Sequence, residues 1–191
     1  MIFSEDTYYR EKYSKLSFSK ETIESKYFEG CEFDSCTFVD CKFVKCTLID
    51  CKFNESVLSA IQLFNSRFIN VTFTKSKAIG FDWTKAKEVQ DLVFDGCQIN
   101  YSNFKLLKIP KTKIVNCEAK EVDFIETDLS DGDFTNTNFE NSRFFKTNLT
   151  GANFKGAINY FIDVKNNTIK KTRFSLPEAL VLLNSLDVII D

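Results

Sequence analysis

The sequence predicts an all-β fold in which short strands wind into a four-sided coil. A large apolar residue recurs at every fifth position, a small residue recurs two positions before it, and the remaining positions are mostly polar. A period of five fits neither an α-helix nor simple strand alternation, but it fits a short extended stretch followed by a two-residue corner. Four such sides make one turn of about 20 residues, which stacks on the next turn at about 4.8 Å.

The large position follows two phases that differ by one residue. The first phase runs from Phe18 to Ala78, and the second runs from Phe94 to Phe174 with weak points at Ala119 and Asn159. These 13 and 17 positions hold 16 of the 21 phenylalanines, so the repeat is not a chance pattern. Residues 20 apart should lie above each other. We therefore expect one column of Phe33, Phe53 and Phe73 and another of Phe134, Phe154 and Phe174.

The small position shares the inner side of each strand with the large one, because strand residues at i and i−2 point the same way. Five of the seven cysteines occupy it at intervals of five, from Cys31 to Cys51. Zinc motifs use other spacings and usually include His, which this chain lacks. We therefore interpret the cysteines as packing residues. Their odd number, and the absence of an apolar signal region in residues 1–16, predict free thiols in a reducing cytoplasm.

Residues 79–92 interrupt the repeat and introduce the one-residue shift between the phases. The segment contains Phe81 and the only tryptophan, Trp83. One interpretation is an inward bulge whose aromatic side chains fill a local widening of the coil. The alternative is a projecting loop, with Phe81 and Trp83 as candidate partner-binding residues.

The ends differ from the repeat. Residues 1–15 are expected to cover one end, residues 16–175 to form the coil, and residues 176–191 to form a short α-helix and a tail. Ser175 to Glu178 resembles a capped helix start, and apolar residues follow at helical spacing. This end is more apolar than a cap requires, which favours a homodimer; the alternative is a plain cap on a monomer. The candidate interface residues are Leu176, Leu180, Leu183, Leu186, Val188 and Ile190.

Composition and charge exclude several functions. The chain has no histidine, no carboxylate pair suited to acid–base catalysis and no predicted cleft, so we expect neither an enzyme nor a cofactor or metal site. No segment is apolar enough to span a membrane, and a net charge of −2 does not favour direct nucleic acid binding.

An acidic belt lies within this nearly neutral total, beside a basic region at residues 141–175. It is formed by Glu118, Glu121, Asp123, Glu126, Asp128, Asp131 and Asp133. One interpretation is an ordinary solvated surface. The other is a partial DNA mimic that presents carboxylates to a DNA-binding protein.

The repeat resembles that of the pentapeptide-repeat proteins, whose consensus is A(D/N)Lxx. The segments Ala152-Asn153-Phe154-Lys155-Gly156 and Thr147-Asn148-Leu149-Thr150-Gly151 fit it closely, and the resemblance covers about residues 16–175. It implies a right-handed quadrilateral β-helix. The apolar C-terminus is similar to that of the Qnr and microcin-immunity branch, in which the resemblance implies tail-to-tail dimers and DNA gyrase or topoisomerase IV as targets. The alternative function is a rigid scaffold or adaptor with no gyrase activity.

Overall fold

Short parallel strands stack into a four-sided β-helix in the computed structural model, which describes residues 3–186 and residue 188. The predicted fold class is confirmed. Each strand pairs with the strand four sides further along the chain, so each side of the coil becomes a parallel sheet. This arrangement explains how strands of two or three residues are stable, because each strand inside a sheet is paired both above and below.

The strands and helices have the following bounds. The strands are β1 (Thr7–Tyr9), β2 (Lys12–Ser14), β3 (Ser17–Ser19), β4 (Thr22–Glu24), β5 (Tyr27–Glu29), β6 (Glu32–Asp34), β7 (Thr37–Val39), β8 (Lys42–Val44), β9 (Thr47–Ile49), β10 (Lys52–Asn54), β11 (Val57–Ser59), β12 (Gln62–Phe64), β13 (Arg67–Ile69), β14 (Thr72–Thr74), β15 (Lys77–Ile79), β16 (Glu88–Gln90), β17 (Val93–Asp95), β18 (Lys113–Val115), β19 (Asn153–Phe154) and β20 (Arg173–Phe174). Two 3₁₀ helices span Trp83–Lys85 and Glu178–Leu186.

Four faces follow from the strand order. Face 1 contains β1-β5-β9-β13-β16, and face 2 contains β2-β6-β10-β14-β17-β18 and, further along, β19-β20. Face 3 contains β3-β7-β11-β15, and face 4 contains β4-β8-β12. In the second half of the coil isolated parallel bridges continue these faces, for example Asp123 with Arg143 on face 4. The residue number therefore gives both the face on which a side chain lies and the coil to which it belongs.

The large positions form a continuous aromatic core. On face 2 the rings of Phe33, Phe53, Phe73 and Phe94 stack at successive centroid distances of 4.7, 5.0 and 4.9 Å with interplanar angles of 9–10°. The register changes from 20 residues to 21 only at the last of these steps. Each ring thus gains a stacking contact in addition to its burial.

The expectation of a second, separate column is wrong. Phe134 and Phe154 lie above the same face-2 stack, which Ile114 continues through its pairing with Phe94. The extra residue is accommodated on another side of the coil, so the strands of face 2 pair in register before and after it. One column of large side chains therefore runs along the whole of face 2.

The small positions stabilise the corners through hydrogen bonds along the coil axis. The Ser56 hydroxyl lies 2.9 Å from the carbonyl oxygens of both Phe33 and Asn54, which share its one proton, and it accepts the backbone N–H of Cys36 at 3.0 Å. The N–H of Ser56 is bonded in the same way to the Ser76 hydroxyl. Because buried backbone groups need partners, Ser, Thr and Cys suit this position better than a purely apolar residue of the same size.

The corners adopt the left-handed backbone conformation at intervals of five residues. Asp50 has φ 55° and Lys111 has φ 62°, and in each coil the corner N–H donates to a carbonyl of the next coil. This conformation costs most residues free energy, since Cβ approaches the backbone closely. The hydrogen bonds between neighbouring coils offset that cost. Lys, Glu and Leu can therefore occupy corners where Gly or Asn would adopt the left-handed conformation at a lower cost in free energy.

The two ends differ in part from the expected boundaries. Residues 7–14 form β1 and β2, so the coil begins within the segment assigned to the N-terminal cap, since Tyr8 and Tyr13 occupy the large position. Phe3 covers this end, with its ring 5.2 Å from that of Phe18. At the other end the helix Glu178–Leu186 is a 3₁₀ helix, and Val181 and Leu182 pack against the core.

Corner strain predicts that Lys111→Gly stabilises the protein. Glycine removes the cost of the left-handed conformation but increases the entropy of the unfolded chain, so we expect a net gain of about 0.5 kcal/mol in the free energy of unfolding. Urea unfolding measures this change.

The matched control is Lys113→Gly, which places glycine in the exposed strand β18 two residues away. It should lower the free energy of unfolding by about 1 kcal/mol. Equal destabilisation by both substitutions would contradict the proposed corner strain.

Candidate partner-binding surfaces

The acidic belt forms a ring around the coil and does not form a stripe along it. Its four members before a large position lie on successive faces, with Glu118 on face 3, Asp123 on face 4, Asp128 on face 1 and Asp133 on face 2. Glu121, Glu126 and Asp131 lie at the three corners between these faces. The structure therefore brings all seven residues to one level of the coil but distributes them over all four sides.

The four face residues of the belt are tied to the next coil. Asn138, Asn148 and Asn153 donate side-chain N–H groups to Glu118, Asp128 and Asp133 at 3.0, 2.9 and 3.2 Å. Arg143 forms an ion pair with Asp123 at 2.5 Å. Asp123, Asp128 and Asp133 also accept the backbone N–H two residues later, so these carboxylates close local turns. Their main role in the structure is to connect neighbouring coils.

The three corner residues of the belt, Glu121, Glu126 and Asp131, point outward and are exposed. Nearby, Lys120 lies between Glu118 and Glu140 at 3.4 and 2.9 Å, and its hydrogen bond with Glu140 raises the pKa of the lysine. The carboxylates that a partner can reach most easily are therefore the corner residues.

The phase break forms an inward bulge. Phe81 and Trp83 are each 1% exposed, so the alternative in which they project to meet a partner is wrong. Trp83 stacks on Phe104 at 5.8 Å and meets Phe68 edge-on at 5.4 Å. Trp83 still occupies a large position of the first phase, and Val89 occupies the next large position, which belongs to the second phase. The extra residue between them is accommodated by the 3₁₀ turn Trp83–Lys85. Burial of two large aromatic rings explains the inward direction.

A groove opens on face 4 beside this bulge. The sheet of face 4 ends at β12, since the next coil places a 3₁₀ turn there and the carbonyl of Asp82 accepts the N–H of Lys85 within that turn. The groove has a volume of about 360 Å³ and is lined by residues 60–64, Gly80, Asp82 and Lys85. Phe64 lies on its rim and is 44% exposed.

The C-terminal end presents an apolar surface. Leu176, Leu180, Leu186 and Val188 are exposed and Leu183 is half-buried, whereas Ile190 lies outside the described residues. In a 3₁₀ helix, side chains three apart lie on one side, which aligns the leucines at 180, 183 and 186. The opposite side contains Leu182 and Ser185, whose hydroxyl accepts the N–H of Val164 at 3.2 Å. The helix therefore packs one side on the coil and exposes the other.

The seven cysteines are buried and free. Their thiols donate to backbone carbonyls, as Cys46 does to Ile23 at 3.1 Å. Burial raises the pKa of Cys51 to about 12 and raises the pKa values of Cys31, Cys36 and Cys46. The thiols of Cys31, Cys36, Cys46 and Cys51 are therefore protonated packing groups rather than nucleophiles. The hydrogen bond with Cys117 lowers the pKa of Cys97, whose thiol is equally buried.

Residues 3–186 and 188 contain no cluster of three or more His, Cys, Asp and Glu side chains that could hold a metal ion. Within the same described residues, no helix is long and apolar enough to cross a membrane.

Sequence reasoning missed Phe64 and Leu106 as candidate contact residues. Phe64 follows an inward Leu63, and Leu106 occupies a corner where it is 63% exposed. A signal was present, because Phe64 is one of only five phenylalanines that do not fall on the two phases. The groove beside it had no such signal, since it depends on how the extra residue is accommodated.

The raised pKa of Cys51 predicts a loss of stability at alkaline pH. An exposed thiol in the unfolded chain titrates near 9, so the folded state is favoured fully below pH 9 and loses this contribution as the pH rises towards 12. At pH 10 the loss from this thiol should be about 1.4 kcal/mol. Cys51→Ala should therefore show a smaller decrease in free energy of unfolding between pH 8 and pH 10 than the wild type. Equal decreases in urea titrations would show that the thiol already titrates in the folded protein.

Two family models match the sequence. The model described as "Pentapeptide repeat region" matches residues 22–104, and the model described as "Pentapeptide repeats (8 copies)" matches residues 120–158. Together they cover 83 and 39 residues, which is more than half of the 191. No curated protein gives a significant sequence match.

Solved structures share the fold at low sequence identity. Full-length QnrB1, a plasmid-mediated fluoroquinolone resistance protein, is 15% identical with a TM-score of 0.67, and the alignment covers 93% of this chain and 100% of QnrB1. A trypsin-treated QnrB1 variant is 14% identical with a TM-score of 0.58, covering 94% of this chain and 100% of the variant. At these identities the likeness establishes the fold alone.

Proposed function

Because the chain belongs to the pentapeptide-repeat family, we propose that it is a non-enzymatic protein-binding rod whose target is a type II topoisomerase, DNA gyrase or topoisomerase IV. The observation that supports this target most directly is the match in fold to QnrB1 over the full length of that fluoroquinolone resistance protein. The large side chains fill the interior of the coil. Its chemistry lies on its outer surface, as is usual for protein–protein contacts.

The corner carboxylates of the acidic belt supply the contact with the topoisomerase. Glu121, Glu126 and Asp131 point outward at one level, so a basic DNA-binding surface can approach them from several sides. In this respect the belt replaces some phosphate charges of DNA, and the protein protects the enzyme from quinolones by occupying its DNA site. The seven buried free thiols support a cytoplasmic location, where the topoisomerases act.

The C-terminal helix forms the dimer contact in this proposal. Leu180, Leu183 and Leu186 lie along the side of the helix that does not pack on the coil, and exposed Leu176 and Val188 extend that surface. A second copy would remove these leucines from water, which is the main driving force for association of apolar surfaces. Ile190 belongs to the same proposed interface.

The topoisomerase proposal predicts that purified protein changes gyrase supercoiling or restores it in the presence of ciprofloxacin. The double variant Glu121→Lys/Asp131→Lys should lose at least about 90% of this effect, because reversed charges repel a basic partner. These corner residues are suitable targets because they do not form the inter-coil bonds of Asp123, Asp128 and Asp133.

The matched control is Asp40→Lys/Asp91→Lys. It makes the same charge change at the same two corner columns, but away from the belt. The control should keep the effect on gyrase. No change in supercoiling and no rescue over a wide range of protein concentration would refute the topoisomerase proposal.

The dimer proposal predicts that Leu180→Asp yields monomers in light scattering, since a carboxylate at this exposed position opposes burial in the interface. Leu106→Asp, on the side of the coil, should leave the mass unchanged. A wild-type protein that is already monomeric at high micromolar concentration would contradict the interface.

A second candidate function is a rigid scaffold or adaptor with no gyrase activity. The ring arrangement of the belt favours a scaffold. Each corner column contains only one belt residue, and in the column of Glu126 the next coil places the opposite charge of Lys146. DNA carries charge along its axis, whereas this surface concentrates charge at one level. A partner that remains bound after the Glu121→Lys/Asp131→Lys change, with gyrase unaffected, would identify this function.

A further inference from the structure

Exposed large apolar side chains concentrate on face 4. Among the described residues of the coil after β1, those classed as exposed are Phe64, Tyr101, Leu106, Phe145, Ile158 and Phe161. Phe64 and Phe145 share one outward column of face 4. Tyr101 and Leu106 lie at the two corners of this face. Phe161 also lies on face 4, because it precedes Ile162, which pairs with Phe144. Only Ile158 lies on another face. Such a bias marks an interaction surface rather than scattered surface residues.

The apolar side chains lie in two groups along face 4, one at Phe64 and one around Leu106, Ile125 and Phe145, with the polar Thr84 and Lys105 between them in the same column. The N–H of Leu106 donates to the carbonyl of Ile125 at 3.0 Å, and Ile125 lies directly below Phe145 in the next coil. Below them the groove beside β12 provides a depression next to Phe64. The face therefore combines the exposed Phe64 with an adjoining recess that can receive an inserted side chain.

Face 4 carries positive charge on a protein whose net charge is −2. Between residues 42 and 146 its outward positions and the corner towards face 1 contain more cations than acids: Lys42, Lys45, Lys85, Lys105, Arg143 and Lys146 against Asp82, Asp123 and Glu126.

Two of the three acids on this face are already engaged. The Asp82 carboxylate accepts from the Thr84 hydroxyl at 2.6 Å and from Asn103 at 3.1 Å, while Asp123 pairs with Arg143. Asp82 keeps its charge because its partners are neutral, and the Asp123–Arg143 pair removes one charge of each sign. The five lysines then remain against Asp82 and Glu126, so this surface keeps a positive excess.

We propose that face 4 binds an extended acidic segment of a partner protein. Apolar side chains of the segment pack on Phe64 and enter the groove, and its carboxylates pair with Lys45 and Lys85 at the edge of the face. An extended chain suits this surface because alternate side chains point to opposite sides, so one row can meet Phe64 and the groove while the other faces solvent and the lysines at the edge. This proposal does not depend on a topoisomerase being the partner. The acidic belt crosses face 4 at Asp123 and Glu126, but Phe64, the groove, Lys45 and Lys85 lie at least two coils away from it.

The probe for this test is a fluorescein-labelled octapeptide that alternates Glu and Val, with an alternating Lys and Val octapeptide as the charge control. Fluorescence anisotropy should show binding of the acidic peptide and at least about tenfold weaker binding of the basic one. Phe64→Ser and the double variant Lys45→Glu/Lys85→Glu should each weaken acidic-peptide binding by at least about fivefold.

Two matched controls separate this surface from general stickiness. Lys15→Glu/Lys75→Glu makes the same charge change at the corner between faces 2 and 3, and Ile158→Ser removes an exposed apolar side chain from face 3. Both should change affinity less than about twofold, with unchanged circular dichroism in all variants.

Hydrogen exchange of the wild-type protein gives a readout that needs no variant, and the bound peptide should slow exchange in residues 60–65. Equal weakening by the control variants, no binding at millimolar peptide, or no protection of residues 60–65 would overturn the proposal. Binding of an oligothymidine in place of the acidic peptide, with the same dependence on Phe64 and Lys85, would also overturn it, in favour of a nucleic acid.

Discussion

The structure depends on filling a narrow tube with one large side chain from each face in each coil. The face-2 rings stack at 4.7–5.0 Å, close to the spacing of strands in a sheet, so aromatic stacking and strand pairing require the same rise. A ring displaced from its level would lose both its stacking partner and the register of its strand. This agreement of two spacings explains why 16 of the 21 phenylalanines occupy the large position.

The same constraint explains how the coil tolerates an extra residue. An insertion within a strand would move the following side chains to the opposite side, because the side-chain period of a strand is two. The chain instead places the additional residue in the turn Trp83–Lys85, where the strand is replaced on one side of the coil only. Phe73 can then stack on Phe94 across a step of 21 residues with an interplanar angle of 10°. The consequence of this local solution is the groove beside β12.

The sequence was sufficient to predict the repeat, the four-sided coil and the inward cysteines, because these follow from a strict period. It was insufficient where the period is relaxed. Tyr8 and Tyr13 occupy large positions although no small residue precedes them, so the start of the coil was placed too late. The directions of Phe81 and Trp83 remained open because both a bulge and a loop satisfy a one-residue shift. For the acidic belt, the sequence predicted its height along the coil, but the four-fold distribution of its residues emerged only with the register.

A protein whose interior is strictly periodic can vary its function only at outward positions, and large apolar residues there have no role in filling the tube. This gives the off-phase phenylalanines particular weight. Of the five, Phe3 covers the N-terminal end and Phe81 fills the bulge, which leaves Phe64, Phe145 and Phe161. All three lie on face 4: Phe64 and Phe145 share one column, and Phe161 lies in the coil after Phe145, two positions away within the side. Solubility alone would disfavour such an arrangement, because exposed aromatic side chains aligned on one face promote association. Their alignment is therefore better explained by a contact that covers the face than by the requirements of the fold.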